Sequence, residues 1–318
     1  MPKTTIAWTD RSVNPIRARL RAGEASGHYC EKVSQGCANC YASSLQPRFG
    51  MPRFEDARGA VDVFFDEHRL QEVLGRKVPT KWFWCDMTDM FGSWVPDAWI
   101  DRCFATMAVT GQHVHQVLTK RVDRMAEYIN GLNGDYARLE RAALGLGYAV
   151  RFMGIPLIRW PLPNVWLGTS VEDQSRLDER VGVLLSTPAA VRFLSAEPLL
   201  GPLDLSGFVP KPPGWKWAGG VECRHGYNAC PICDSDPTVA VDWIIAGGES
   251  GPSARPCELA WIRSILAQCR GTGTSVFVKQ LGANISTDVS RGLQLKDRKG
   301  ADPSEWPEDL RVQEFPQQ

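Results

Sequence analysis

Two groups of closely spaced cysteines are the residues of this sequence best suited to chemistry. In the segment HYCEKVSQGCANCYA, Cys30, Cys37 and Cys40 follow a C-x6-C-x2-C spacing. Three thiolates can hold one face of a metal centre, and a fourth ligand such as His28 would close a structural zinc site. The same thiolates can instead bind an iron–sulfur cubane and leave one iron open for a substrate. The spacing leaves both hypotheses open.

The second group lies in ECRHGYNACPICDSD, where Cys223, Cys230 and Cys233 repeat the same spacing and His225 offers a further ligand. The C-x2-C half is typical of a zinc-knuckle turn. A segment with few core-forming residues needs a metal to stay folded, which indicates a structural site. We expect zinc here, with a second iron–sulfur cluster and metal-free thiols as the alternatives.

The composition is that of a globular protein and not of a membrane protein. The 318 residues include 43% hydrophobic residues, and no apolar run is long enough to span a bilayer. The first residues, MPKTTIAWTD, lack the apolar core of a signal peptide, so we expect a cytoplasmic protein with no membrane partner. Thiols stay reduced in that compartment, so the isolated cysteines are expected in the core: Cys85, Cys103, Cys257 and Cys269.

The balance of 36 basic and 36 acidic residues excludes a protein that coats nucleic acid through a large positive field. Local basic patches remain as candidates. The segment NPIRARLRAG brings Arg17, Arg19 and Arg21 together, and further arginines follow the first cysteine group. These arginines are either solvated surface charges or a local binding patch.

From residue 80 onward, predicted strands and helices alternate along the chain. Short β-prone runs cover residues 80–89, 113–121, 164–173, 190–198, 241–251 and 274–282. Amphipathic helical stretches such as 96–111 and 258–273 lie between them. With a first strand near TTIAWTD, the pattern predicts an α/β fold with a partial or complete (βα) barrel of about six to seven parallel strands.

The barrel is predicted to occupy residues 1–282, with a cysteine-rich, zinc-knuckle-like insertion at 207–238 and a polar C-terminal tail at 283–318. The carboxyl ends of barrel strands line the active site. Here those ends are polar in six successive strands: Asp86, Thr88 and Asp89; Thr119, Lys120 and Arg121; Ser170, Glu172 and Asp173; Ser195 and Glu197; Glu249 and Ser250; Lys279 and Gln280.

A cysteine triad after the first predicted strand of a βα barrel, with an aromatic residue beside the last cysteine, resembles the radical S-adenosylmethionine enzymes. Their commonest spacing is C-x3-C-x2-C, whereas here the first gap is six and Tyr41 follows the last cysteine. The strand ends CDMTD and LTKR resemble the spore photoproduct lyase branch. The chain also resembles an uncharacterised phage and prophage family, through IAWTD, DMTDMFG, GTSVEDQ, FLSAEPLLGPLDL and GGESG.

This resemblance implies that Cys30, Cys37 and Cys40 ligate a [4Fe–4S] cluster whose open iron binds S-adenosylmethionine. An external electron donor would reduce the cluster, and a 5′-deoxyadenosyl radical would take a hydrogen atom from the substrate. The implied cofactor-binding residues are Asp86, Thr88 and Asp89 for the methionine amino group, Lys120 or Arg121 for its carboxylate with Thr119 beside them, and Ser170 and Glu172 for the ribose. Glu197 and Glu249 are the implied catalytic candidates.

The lyase resemblance implies a nucleobase or nucleic acid as substrate, in a repair or modification reaction. Two rivals remain: a non-catalytic zinc or iron–sulfur protein that binds nucleic acid, and a radical enzyme that acts on a peptide or small metabolite. A serine hydrolase is excluded because GGESG lacks the spacing of a nucleophile elbow. The absence of a P-loop excludes that class of nucleotide hydrolase.

Overall fold

The computed structural model describes residues 4–132, 136–149, 151–152, 155–156, 158–210, 240–286 and 295–317. The chain divides into two compact units, Met1–Gly168 with Thr187–Ala190, and Thr169–Ser186 with Val191–Gln318. The second cysteine group lies outside the described residues.

The first unit contains most of the secondary structure. Its elements in chain order are β1 Arg11–Val13, β2 Ile16–Leu20, β3 Ser26–Gly27, α1 Tyr41–Leu45, α2 Phe54–Ala57, β4 Val61–Phe65, α3 His68–Gly75, β5 Lys81–Trp84, α4 Asp97–Val109, β6 Val114–Thr119, α5 Val122–Asn130, α6 Ala137–Gly145, β7 Arg151–Phe152 and β8 Ile155–Pro156. Strand β9, Val165–Ser170, runs from the first unit into the second. The second unit continues with α7 Gln174–Ser186, β10 Val191–Ala196, β11 Trp243–Gly247, β12 Cys257–Glu258, α8 Leu259–Cys269, β13 Ser275–Gln280 and β14 Ile285–Ser286.

Seven strands form one parallel sheet in the order β1-β5-β6-β9-β10-β11-β13. The predicted α/β fold with a partial (βα) barrel is confirmed, and the sheet stays open because β1 and β13 are its edges. Each of the six predicted β-prone runs contains one strand of this sheet. Strands β9 and β11 are buried along their whole length, which explains their nearly continuous apolar sequences.

The predicted first strand near TTIAWTD is present as β1, but it begins at Arg11, directly after that run. After β1 the chain forms a small antiparallel sheet in the order β3-β2-β4, which the sequence did not predict. In β2, Ile16 and Ala18 are buried while Arg19 is exposed. Alanine and arginine have little preference for strands, so this alternation gives a weak pattern. The first cysteine group therefore follows a strand of the small sheet, and not the first strand of the barrel.

The core of the first unit contains aromatic and histidine rings. Trp82 and Trp84 are fully buried. The indole of Trp84 donates to Nδ1 of buried His115 over 3.0 Å, and Nε2 of His115 lies 3.0 Å from the hydroxyl of Thr110. These contacts satisfy the imidazole in its neutral form.

In the second unit, the ring of Trp243 packs against Phe193 and Phe315 with centroid distances of 5.7 and 5.3 Å. Trp306 of the C-terminal segment is 2% exposed, and its indole donates to the carbonyl of Gly300 over 2.9 Å. Segment 295–317 is therefore packed into this unit by aromatic side chains. Among the described helices, none is both long and apolar enough to cross a bilayer.

Candidate metal centre and charged strand ends

The first cysteine group lies on a single loop between β3 and α1. Cys37 ends a short 3-10 turn, and Cys40 directly precedes α1. All three cysteines of the loop are free and partly exposed. The prediction for the isolated cysteines is confirmed, because all four are buried: Cys85, Cys103, Cys257 and Cys269. Exposure therefore separates the loop thiols from the core thiols.

The start of the cysteine loop is fixed by the buried side chain of Gln46. Its Oε1 accepts from the backbone N–H of His28 over 2.8 Å, and its Nε2 donates to the carbonyl of Ala42 over 2.8 Å. A Cβ on Gly27 would lie only 2.5 Å from the same Oε1. Glycine is required there because the Gln46 amide fills the space that a side chain would occupy.

Two hydrogen bonds attach the loop to the chain just after β5. The hydroxyl of Tyr41 donates to the carbonyl of Asp86 over 2.6 Å. The hydroxyl of Thr88 donates to the carbonyl of Tyr29 over 2.5 Å. Buried Cys85, between β5 and these contacts, has a φ of 60°, a left-handed conformation that costs a non-glycine residue about 1 kcal/mol. The turn that presents Asp86 and Thr88 is thus held by contacts that outweigh a local strain.

Asp89 is the centre of the polar network in this unit. Its Oδ1 accepts from the N–H of Phe91 over 3.0 Å and from the hydroxyl of Thr119 over 2.7 Å. Its Oδ2 accepts from the N–H of Lys120 over 3.2 Å and from Nη1 of Arg121 over 3.0 Å. Both oxygens are occupied, so this carboxylate joins the end of β6 to the end of β5.

Arg121 connects this network to the cysteine loop. Its Nη2 donates to the carbonyl of Glu31 over 3.1 Å. Its guanidinium lies 4.7 Å from the centre of the Trp94 ring, and its charge acts on the Cys30 thiol. A planar cation with several donors can make all these contacts at once, which a lysine ammonium cannot.

The charge state of the thiols follows from their surroundings. Burial, helped by the charge of Asp89, raises the pKa of Cys30 to about 12 even though Arg121 lowers it. Burial also raises the pKa of Cys40, while two backbone N–H groups and Lys120 lower it. Cys37 acts on both of these thiols, so the three lie within electrostatic range of one another. Without a metal, Cys30 and Cys40 are neutral thiols at pH 7.

Within the described ranges, no group of three or more histidine, cysteine, aspartate or glutamate side chains is arranged so that it could hold a metal ion. The three loop thiols nevertheless fit an iron–sulfur cluster in number and in chemical type, because they are soft donors on one loop. Ligation would have to draw these thiols together and release their protons.

The predicted site residues of the second unit form closed ion pairs. Glu172 and Arg180 are 0% and 2% exposed, and their Oε2 and Nη1 atoms lie 3.0 Å apart. The same Nη1 donates to the carbonyl of Ser170 over 2.8 Å. Such a buried pair is stable only while both partners are present.

Glu197 and Glu249, the predicted catalytic residues, are also paired with cations. Nζ of Lys279 lies 2.9 Å from Oε1 of Glu197 without the alignment of a hydrogen bond. Arg255 donates to Glu249 from its backbone N–H over 2.9 Å, from Nε over 3.0 Å and from Nη2 over 2.6 Å. Glu249 is therefore held firmly, while Glu197 has the looser contact.

The structure thus joins one set of predicted residues in the first unit and places the predicted glutamates and Ser170 in the second unit. The connected set in the first unit is Cys30, Asp86, Thr88, Asp89, Thr119, Lys120 and Arg121. Sequence reasoning missed Gln46 and Trp94, which shape the loop, and Arg180 and Arg255, which neutralise glutamates. The nearness of Trp94 to the DMTDMFG run was an available clue, whereas Gln46 offered none.

Comparison with known proteins gives a family but no activity. No curated protein matches the chain, and no solved structure matches it. One family model, described as a protein of unknown function (DUF5131), matches residues 3–308. That match covers nearly the whole sequence, so the chain belongs to the DUF5131 family.

Proposed function

We propose that the first unit is a radical S-adenosylmethionine centre in which Cys30, Cys37 and Cys40 bind a [4Fe–4S] cluster, with a nucleobase or nucleic acid as substrate. The observation that carries this proposal is the loop of three free, partly exposed thiols that Arg121 and Asp89 tie to the ends of β5 and β6. When bound and reduced, the cluster would pass one electron to the sulfonium, which splits into methionine and a 5′-deoxyadenosyl radical that abstracts hydrogen.

The surroundings of the loop suit a negatively charged centre. Three thiolates repel each other, and the cationic groups of Arg121 and Lys120 offset that repulsion. Cys30 and Cys40 also pack against three apolar side chains, Ala42, Phe54 and Met87. These side chains would keep water from one side of the iron–sulfur cluster.

Asp86 is the better candidate for the methionine ammonium. Both oxygens of Asp89 are occupied, so Asp89 acts as a positioning residue. Burial raises the pKa of Asp86, while the amide of Asn14 donates to its Oδ1 over 2.5 Å. A cationic ligand would stabilise the charged form of this carboxylate. The predicted roles of Ser170, Glu172, Glu197 and Glu249 stay predictions, made for residues that are ion-paired or buried.

The test is anaerobic reconstitution of the full chain with iron and sulfide. We expect electron paramagnetic resonance of the reduced protein to show a cluster signal that changes when S-adenosylmethionine is added, together with formation of 5′-deoxyadenosine. Cys37→Ala should lose the signal and at least a hundredfold of cofactor cleavage, on the order of the loss of an essential group. Cys269→Ala, which removes a buried thiol of the second unit, is the matched control. Undiminished cleavage by Cys37→Ala would refute the ligand assignment.

A non-catalytic zinc site is the second candidate, and His28 is the observation in its favour. Its Nδ1 is buried without a hydrogen-bond partner. Burial, with Arg17 and Arg69, lowers the pKa of the imidazole to about 4, so the ring has the neutral form that ligates zinc. One zinc per chain that is lost in both Cys37→Ala and His28→Ala, without any cofactor cleavage, would establish this alternative.

A further inference from the structure

The small antiparallel sheet of the first unit presents a face rich in arginine. Arg17 and Arg19 alternate along β2 with the buried residues Ile16 and Ala18, so they point to the opposite side. Arg21 follows directly and is 58% exposed. The adjacent strand β4 places Phe64 opposite Arg17 in the register. This face is accessible and combines cations with an aromatic ring.

The ring of Phe64 contacts two guanidinium groups. The Cζ atoms of Arg17 and Arg19 are 5.7 and 5.6 Å from the centre of its ring. Cation–π contacts of this kind hold the flat guanidinium groups in place. Ordered guanidinium planes can stack on nucleobases while their edges donate to phosphates.

The carboxylates on this face leave the positive charge in excess. Asp62 pairs with Arg21 over 2.8 Å, and Asp66 lies 3.1 Å from Arg17 and 3.2 Å from Arg69. Within the described residues, Arg19 forms no ion pair with a carboxylate. Its charge is thus available to an incoming anion.

The basic face continues into the cysteine loop. Arg19 pairs in the register with Ser26 of β3, and the loop starts at the end of that strand. The charges of Arg17 and Arg69 act on His28, whose ring meets Phe49 at a centroid distance of 6.4 Å. The ring of Phe49 is 45% exposed, and the preceding residue, Arg48, is exposed as well. Cations and aromatic rings thus lie both on β2 and β4 and beside the loop that carries the thiols.

We propose that this basic-aromatic face, formed by Arg17, Arg19, Arg21, Arg48, Phe49 and Phe64, binds single-stranded nucleic acid beside the cysteine loop. Cations next to accessible aromatic rings fit a strand that carries both phosphates and unstacked bases. A duplex hides its bases, and an acidic peptide has no rings that would use Phe49. This proposal rests on the proposed function only in the claim that the bound strand is the substrate of the radical reaction. Binding itself needs neither iron nor S-adenosylmethionine.

The test is fluorescence anisotropy with a labelled 20-nucleotide oligothymidylate, the full chain and a series of salt concentrations. We expect Arg19→Glu to raise Kd at least tenfold and to lower the salt slope by about one. Phe49→Ala should raise Kd roughly five- to a hundredfold for the single strand, the cost of one lost stacking platform. Helix α6 supplies both matched controls, Arg141→Glu for charge and Leu144→Ala for an exposed apolar side chain.

Equal binding of the two Arg→Glu variants would overturn the proposal, and so would tighter binding of a duplex or of a polyglutamate peptide of equal length. The same preparation also separates this proposal from the proposed function. If the protein assembles the iron–sulfur cluster and cleaves S-adenosylmethionine but does not bind the oligonucleotide, only the proposed role of the basic-aromatic face is refuted. A protein that binds the oligonucleotide through Arg19 but never assembles the cluster supports the face and refutes the radical centre.

Discussion

The two units use polar groups at their strand ends in different ways. In the second unit, each of the three glutamates predicted as site residues has its own cation within the fold: Glu172 with Arg180, Glu197 with Lys279 and Glu249 with Arg255. In the first unit, Asp89 and Arg121 also pair, but their further contacts lead to a loop of free thiols.

This difference indicates where an external group would bind. A carboxylate that already has a fixed cation gains little from a ligand, because the ligand must first replace a satisfied contact. Neutral thiols gain a strong interaction when a metal replaces their protons. The second unit therefore has the character of a structural charge network, and the first unit is where we propose the binding centre. Four predictions test this contrast.

The largest expected effect is on the buried pair of the second unit. Glu172→Ala should lower the free energy of unfolding by about 3–5 kcal/mol, because Arg180 is left as an unpaired buried charge. Chemical denaturation measures this loss. Asp309→Ala, which breaks the exposed pair with Arg263, is the control and should cost no more than about 1 kcal/mol. A loss as small as the control's would show that Glu172 is not a structural ion.

Next comes the network of the first unit. Asp89→Asn should lower the free energy of unfolding by about 2–3 kcal/mol. An amide nitrogen would replace one of the two oxygens that accept from Arg121, Lys120 and Thr119. Hydrogen exchange followed by mass spectrometry should show faster exchange in residues 28–40. Asp62→Asn, at an exposed pair, is the control. Unchanged exchange in the cysteine loop would mean that Asp89 does not position it.

Acid should destabilise the first unit at a higher pH than the second unit. All histidines among the described residues belong to the first unit, and burial lowers the pKa of His115 to about 3. In the unfolded chain the imidazole takes up a proton near pH 6.5, whereas in the folded chain it stays neutral down to about pH 3. The contribution of His115 to the free energy of unfolding is therefore complete above pH 6.5 and is lost as the pH falls towards 3. At pH 5 the loss from His115 is about 2 kcal/mol.

The measurement is the slope of unfolding free energy against pH. His115→Gln should remove about 1.4 kcal/mol per pH unit from the slope between pH 6 and 4, whatever it does to the stability at pH 7. His68→Gln, at an exposed histidine, is the control. Identical slopes in wild type and His115→Gln would contradict a buried neutral imidazole.

The smallest expected effect is a difference in the rate at which the thiols are alkylated. Iodoacetamide under native conditions should label the partly exposed loop thiols Cys30, Cys37 and Cys40 at least tenfold faster than the buried Cys257 and Cys269. Burial raises the pKa of Cys30 and of both core thiols to about 12, so the expected difference in rate comes from exposure and not from ionisation. Mass spectrometry of peptides gives the ratio. Equal rates would remove the distinction between loop and core thiols.

The sequence predicted the regular part of the fold well. The six β-prone runs after residue 80 became the strands β5, β6, β9, β10, β11 and β13. The small sheet of β2, β3 and β4 escaped prediction, because β2 carries arginine and alanine where a strand pattern normally shows branched apolar residues, and β3 has only two residues. Strand β4, VDVFF, has a strand-like alternation but is only five residues long. Local periodicity reveals elements only when the burial contrast is strong.

The candidate site was predictable in its residue types but not in its contacts. Spacing alone identified the three thiols, since ligands that share a loop are close in sequence. The cation that neutralises Glu197 is 82 positions away in the chain, at Lys279, so no local pattern could indicate it. The same holds for the four donors that occupy Asp89. The amino-acid sequence by itself determined the strands, the thiol loop and the polar strand ends, because these depend on residues near one another along the chain. Only the tertiary structure decided which carboxylates are already paired and how the thiol loop is anchored, because those contacts exist only after distant segments pack together.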